Sequence, residues 1–316
     1  MDKWILAFDF GGTKLSAALL STAALQDARP IWSAQRRVYS PADGDAQYDI
    51  QTMTALGREL LGERTATAVG VSFGGPVDYE TGVVRLSHHV PGWDDVPLQA
   101  LLAKEFAAPV RVDNDANVAA LGEWRFGAGR GVADLFYLTI STGVGGGWVL
   151  NGRSWRGYEG MAGEIGHTVV DPHGPRCLCG KQGCVERLAS GPYMAADYQA
   201  MRHSTEEASG SPVTGQVVAQ LAMAGDETAV YLIQRGAWAI GTGIGNVANL
   251  INPQMFVLGG GVTKSGDLWW DGVRQAARAT ALPQVHFEIV AALLGDDAPL
   301  WGAVALVEDL LLTGAV

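Results

Sequence analysis

The side chains best able to do chemistry gather in one stretch, Gly163 to Glu186, which reads GEIGHTVVDPHGPRCLCGKQGCVE. It carries all three cysteines of the chain, Cys177, Cys179 and Cys184, and His167 stands ten residues before the first of them. Three thiols and an imidazole are four soft donors, the number a tetrahedral structural zinc takes. Glu164 lies three residues before His167, a spacing that sets both on one face of a helical turn. Glu186 lies two residues after Cys184. A metal on these donors would pin two carboxylates and an imidazole near one point, a rigid clasp under a polar binding site. The competing reading keeps three buried thiols in an unmetallated loop. A disulfide would leave an odd cysteine, and nothing else in the sequence suggests export.

Two glycine-rich turns carry the next set of polar groups. Asp9-Phe10-Gly11-Gly12-Thr13-Lys14 separates two apolar runs, 4–8 and 15–20, and predicts a β-hairpin. Its tip offers a hydroxyl, a lysine and a nearby carboxylate, a set suited to phosphate and magnesium; an ordinary tight hairpin would read the same way. The Walker A pattern is absent and no helix follows directly. Ser141-Thr142-Gly143-Val144-Gly145-Gly146-Gly147 repeats the arrangement between strands expected at 135–140 and 148–150. A dinucleotide-binding loop would lead into a helix instead, so that class is excluded. The repeat divides the chain into two halves, each opening with a glycine-rich hairpin. Two such hairpins across a cleft can hold a polyphosphate through backbone N–H groups.

A third polar cluster, Asp113-Asn114-Asp115-Ala116-Asn117, joins a strand at 109–112 to a helix expected from 118. Asp115 either caps that helix or, at a strand-to-helix junction of the kind where α/β proteins bind ligands, acts as general base for a hydroxyl. Gly259-Gly260-Gly261 closes a strand at 255–258 and either lies against a flat base such as adenine or makes a simple turn.

The elements around these residues alternate strand and helix, as in an α/β enzyme. Helices are expected at 49–61, 96–106, 194–202, 213–224, 226–250 and 298–312, and a strand at 67–73 runs into Gly74-Gly75-Pro76. Gly236, Gly241, Gly243 and Gly245 inside the longest helix imply close packing or approach to a ligand, because each costs helix stability. The 316 residues suffice for two domains, and a 48% hydrophobic content supplies a large core. The net charge of −11 argues against nucleic-acid binding. No apolar run is long enough for a membrane span or a signal peptide, and reduced cysteines point to the cytoplasm. His88 and His89 are adjacent loop histidines with no metal partners nearby in sequence.

Taken in order, the motifs at 9–14, 74–76, Pro91-Gly92-Trp93, 114–117, 141–147, 163–167 and 177–186 resemble the ROK family over nearly the whole chain. That family comprises sugar kinases and related repressors within the actin-like ATPase superfamily. The resemblance implies a two-lobe actin-like (ribonuclease H-like) α/β fold with a cleft between lobes. One lobe would span 1–116 plus 300–316 and the other 117–299. It implies an ATP-dependent hexose kinase acting on the sugar 6-hydroxyl, with glucose the leading substrate. N-acetylglucosamine, N-acetylmannosamine, fructose, mannose and allose are the alternatives.

By the same resemblance Asp115 is the catalytic base, and Gly75, Asn114, Glu164, His167 and Glu186 border or bind the sugar. Asp9 helps place Mg²⁺, while Gly11, Gly12, Thr13, Lys14, Thr142 and Gly143 hold phosphates and Gly259 and Gly260 border the adenosine. His167, Cys177, Cys179 and Cys184 would hold a structural zinc, with His167 also turned to the sugar. Family repressors carry a helix-turn-helix ahead of the first glycine-rich turn, and here that turn begins at residue 9. A sugar- or zinc-binding protein without turnover is the third reading, against which the retained Asp115 stands. His89 occupies a position that is often Asn in relatives. Family members form dimers, sometimes tetramers.

Overall fold

A computed structural model describes residues 3–27, 30–87, 90–203 and 213–312. His88 and His89 lie outside the described residues. The chain forms two compact units, one of Met1–Gly131, Arg153–Ala162 and Asp296–Val316, the other of Val132–Gly152 and Gly163–Gly295. The first division falls after the helix Asp115–Phe126 rather than at 116, because that helix packs on the helix Ala298–Leu306 of the same unit.

In chain order the elements are β1 (Trp4–Phe10), β2 (Lys14–Ser21), β3 (Ala34–Tyr39), α1 (Ala46–Leu61), β4 (Ala66–Phe73), β5 (Val77–Asp78), β6 (Val83–Val84), α2 (Leu98–Phe106), β7 (Val110–Asn114) and α3 (Asp115–Phe126). Then come β8 (Leu135–Ile140), β9 (Val144–Leu150), β10 (Arg153–Trp155), α4 (Val185–Ala189), α5 (Gly191–His203), α6 (Gly215–Met223) and α7 (Glu227–Ile251). The last are β11 (Met255–Gly259), α8 (Asp267–Thr280), β12 (Glu288–Ala291), α9 (Ala298–Leu306) and α10 (Glu308–Leu312).

The first unit is built on a sheet of order β3-β2-β1-β4-β7. β1 pairs antiparallel with β2 and parallel with β4, and β4 pairs parallel with β7. Within the second unit the order β9-β8-β11-β12 repeats the pattern: β8 is antiparallel to β9 and parallel to β11, and β11 is parallel to β12. Each central strand therefore begins a hairpin whose tip is one of the two glycine-rich turns. β1 and β8 read as nearly continuous apolar runs because helices cover parallel sheets.

Close backbone approaches lock the helices. A Cβ on Gly70 of β4 would stand 1.8 Å from the Ala303 carbonyl oxygen of α9, and one on Gly302 would stand 1.7 Å from that of Val118 on α3. The glycines of α7 act alike: Cβ atoms on Gly241 and Gly245 would meet α8, at 2.4 Å from the Val273 oxygen and 2.5 Å from the Thr280 side chain. Gly243 faces Ile165 and Val185 instead, so α7 backs the turn that carries Glu164 and His167. Of Pro91-Gly92-Trp93 the tryptophan alone plugs the core. Trp93 is fully buried, stands edge-on to Phe73 and Phe10 with centroids 4.6 and 5.7 Å away, and donates its indole N–H to Asp49 at 3.4 Å. It thus packs against the ends of β1 and β4, next to Asp9 and Gly74.

Two expectations change. The C-terminal helix breaks at Val307 into α9 and α10. α8 stands where the sequence reading named no element, although Trp269, Val273, Ala276 and Ala277 recur at helical spacing and form its buried stripe; its cap, Gly266, offers no side-chain acceptor to mark the start.

The tightest of these contacts gives a test. Gly70→Ala forces a methyl group into the α9 backbone and should lower stability by about 2 to 3 kcal/mol or more, read from urea unfolding.

Candidate active site

The segment 163–186 folds around its sulfurs. Glu164 immediately precedes the 3₁₀ turn Ile165–His167, so the spacing does bring the carboxylate and imidazole onto one short turn. A knuckle follows, in which the Cys177 N–H bonds the Lys181 oxygen at 2.8 Å and the Gly180 N–H bonds Cys177 at 3.0 Å. Gly183, at φ +64°, passes so close to Asp171 that a Cβ would lie 1.6 Å from its oxygen, so only glycine fits before Cys184. The donor atoms of His167, Cys177, Cys179 and Cys184 lie within 4.8 Å of one another. Cys179 and Cys184 sulfurs are 3.5 Å apart, close to the ~3.8 Å edge of a tetrahedron with 2.3 Å zinc–sulfur bonds.

The residues fit a metal on two further grounds. His167 Nδ1 is buried with no hydrogen-bond partner, which is unusual for a ring nitrogen unless something else binds the ring. The sulfurs also conflict electrically. A backbone N–H from Lys181 draws the Cys179 thiol down to about 7, while burial and the neighbouring sulfurs push Cys184 up to about 12. A cation at the centre lets all three ionise together.

The cluster is wired to the second glycine-rich turn. Cys184 is the cap of α4, and Glu186 lies in the first turn of that helix. Glu186 Oε2 accepts the Val144 backbone N–H at 2.9 Å, and a Cβ on Gly143 would stand 2.8 Å from the same oxygen. The turn Thr142–Gly143 is therefore held by a carboxylate two residues from a sulfur ligand.

In the first unit the polar groups meet at the ends of β1, β4 and β7. Asn114, not Asp115, caps α3: its side chain accepts the Ala116 N–H at 3.0 Å and donates to the Gly75 oxygen at 3.1 Å. Asp115 is the first helical residue, partly exposed, with Oδ2 near Gly74. Asp9 pairs in register with Ser72, whose hydroxyl donates to it at 3.0 Å. Burial pushes the Asp9 carboxyl up to about 7; the Ser72 hydroxyl opposes this, Asp115 adds to it, and Arg37 and Lys14 oppose it. At the tip of the hairpin the Gly11 N–H bonds the Lys14 oxygen at 3.1 Å, while Gly12 and Thr13 are exposed. Lys14 Nζ rests on Asp296 at 2.9 Å, an exposed pair weak enough for an anion to displace.

A cavity of about 720 Å³ opens in the second unit beside Ser141 and Thr142, bounded by the start of α5, by α6 and by Gly261, Val262 and Lys264. Gly259 and Gly260 are not on it; Cβ atoms there would collide with Tyr137 and the Ile140 oxygen of β8. Their glycines serve strand packing, and the next residue, Gly261, reaches the cavity. Gln199 and Thr214 of its lining escaped the sequence reading because no motif marks them. Arg156, bonded to Asp113, escaped it too, since nothing in the sequence links the two residues.

The comparisons with known proteins agree over the full length. The ROK family model matches residues 5–310. A glucokinase of Halalkalibacterium halodurans is 36% identical, over 98% of this chain and 96% of its own. The structure is similar to a ROK hexokinase from Thermus thermophilus, at TM-score 0.84 and 32% identity, over 99% of this chain and 100% of that one. It is also similar to a ROK glucokinase from Streptomyces griseus solved with glucose and AMPPNP, at TM-score 0.78 and 31% identity, over 96% and 98% of the two chains. Among the described residues no helix is long and apolar enough to cross a membrane.

The charge around Asp9 has a measurable consequence. Its folded value, about 7, lies above the ordinary 3.8. Between those values the unfolded chain has released the proton and the folded chain has not, so this group's contribution to stability falls as pH rises from about 4 to about 7 and is level above. Asp9→Asn removes that dependence. Urea midpoints across pH 4 to 8 should show the variant gaining on the native protein up to neutrality and no further.

Proposed function

The chain belongs to the ROK family, and from that membership we propose that it is an ATP-dependent hexose kinase that phosphorylates the 6-hydroxyl of glucose. The observation that carries the reading is the corner at β7 and α3, where Asp115 stands partly exposed on a capped helix start beside Asp9.

In this reading Asp115 takes the proton of the 6-hydroxyl as that oxygen attacks the γ-phosphate of ATP. Its partial exposure leaves the carboxylate reachable. Gly75, Asn114, Glu164, His167 and Glu186 bind or border the sugar. The Asn114 amide is already fixed at both ends, by Gly75 and by Ala116, so it meets a hydroxyl without reorganising. The turns at Gly11–Lys14 and Thr142–Gly143 take the phosphates through backbone N–H groups, and Lys14 exchanges Asp296 for phosphate. The cavity beside Ser141 suits the nucleoside, since it adjoins the second turn and has an apolar floor with a few polar side chains.

Asp9 orients the magnesium that travels with ATP. When bound, Mg²⁺ would offset the charge of the phosphates. Zinc is the metal of the four-donor cluster, by the softness and number of its donors. It supplies a fixed positive centre that keeps the sulfurs as thiolates. Reduced thiols suit the cytoplasm. The chain assembles as a homodimer, which light scattering would report as twice the chain mass.

The test is ADP release, coupled to an optical readout, with Mg-ATP and zinc-replete protein over glucose, mannose, fructose, allose, N-acetylglucosamine and N-acetylmannosamine. Glucose should turn over fastest. Preference for another sugar would move the substrate, and no turnover on any would remove the kinase reading. Asp115→Asn should keep glucose affinity within a few-fold and lose about 10²- to 10⁴-fold in kcat.

A further inference from the structure

Asp113 immediately precedes the Asn114–Asp115 corner, and its side chain is only 2% exposed. Its Oδ1 accepts the Asn114 backbone N–H at 2.8 Å and the Asn117 amide at 3.3 Å, bridging the first turn of α3. Its Oδ2 accepts from Arg156 Nε at 2.7 Å and lies 2.7 Å from Arg156 Nη2, a two-pronged pair. The guanidinium lies over the Tyr79 ring, 3.5 Å from its centroid, and Nη1 reaches the Ser154 oxygen at 3.5 Å. Arg156 itself is 17% exposed.

A carboxylate this buried needs its partner. Without Arg156, Asp113 either takes up a proton or turns toward water, because an unpaired buried charge is costly. In both cases Oδ1 loosens its hold on the Asn114 N–H and on Asn117. Those two bonds fix the corner from one side, and the Asn114 side chain fixes it from the other. Asp115 Oδ1 accepts the Ala116 N–H at 2.8 Å, the same N–H that the Asn114 side chain accepts. Its direction follows the corner.

We propose that Arg156 is a positioning residue for phosphoryl transfer: seated on Tyr79, it clamps Asp113 and so aims Asp115. This rests on the kinase reading and deepens it. Arg156 belongs to the segment Arg153–Ala162, which joins the first unit by itself and runs directly into Gly163 and Glu164. A single arginine thus ties the base corner to this segment within the first unit.

The test is steady-state kinetics on the full-length, zinc-replete protein with Mg-ATP and the sugar it turns over. Native turnover, measured alongside, tests the kinase reading alone; only the ratio of variant to native tests Arg156. Arg156→Gln should lower kcat by about 10- to 100-fold while the KM values for ATP and sugar stay within about threefold. Arg156→Lys should recover part of the loss. Millimolar ethylguanidinium should restore Arg156→Gly several-fold and leave the native enzyme unchanged. Asp113→Asn combined with Arg156→Gln should be no slower than the slower single variant. Arg85→Gln, which breaks an exposed pair with Asp78 and Asp95, is the control and should leave kcat unchanged. If Arg156→Gln fails to fold, Arg156→Lys and Tyr79→Leu carry the test, each with a smaller drop in kcat. Variants that lose thermal stability or raise KM at unchanged kcat, with no response to ethylguanidinium, would overturn the proposal.

Discussion

Three sulfurs and an imidazole within 4.8 Å cannot all take their reactive forms without a cation among them. One thiol is drawn toward ionisation by a backbone N–H, another is held protonated by burial, and a buried ring nitrogen has no protein partner. A divalent metal removes all three tensions at once. Because Cys184 caps α4 and Glu186 follows in its first turn, the same centre sets the carboxylate that holds the Val144 N–H. The turn Thr142–Gly143 is bonded to Glu186, two residues from Cys184, and the short turn with Glu164 carries His167 itself. α7 supports this arrangement from behind through Gly243 against Ile165 and Val185.

The first unit solves a related problem with like charges. Burial raises the cost of ionising Asp9, and the nearby Asp115 adds to it. Lys14 and Arg37 offset part of it, yet both are also engaged with Asp296 and Asp297. A site poised in this way favours a ligand that brings cations with its phosphates. Asp113 and Arg156 meet the same constraint by neutralising each other inside the protein, where the pair can stiffen a corner without touching a ligand. The two units share one sheet pattern, so each glycine-rich turn sits at the tip of its unit's central hairpin.

What the sequence made legible was what has a short spacing or a period. The hairpins around Gly11–Thr13 and Ser141–Gly143, the strand-to-helix junction at Asp115 and the four metal donors are all local in the chain. The glycines of α7 announced close packing, though not its partner: α8 keeps a helical period in Trp269, Val273, Ala276 and Ala277, but its glycine cap carries no side chain to mark its start. The sequence left Asp115 open between a cap and a base, because Asn114 and Asp115 are both good caps and only the hydrogen bonds, which give the cap to Asn114, decide between them. Gly259 and Gly260 read as a ligand border or a simple turn, and their close approach to β8 depends on strand pairing rather than on motif. The Arg156–Asp113 pair spans 43 residues, and no local pattern foretells it. Repeats and motifs reveal turns; long-range ion pairs and cavities come only from the fold.

The central claim is that the metal cluster builds the sugar site rather than merely stabilising a loop. Calorimetric titration of glucose into zinc-loaded protein, and into the same protein after its thiols release zinc to a chelator, tests it most directly, with circular dichroism recorded on both. The account predicts that zinc removal abolishes glucose binding while most secondary structure persists, because Glu164, His167 and Glu186 lose their frame and the sheets do not. Zinc-free protein that binds glucose with unchanged affinity would contradict it.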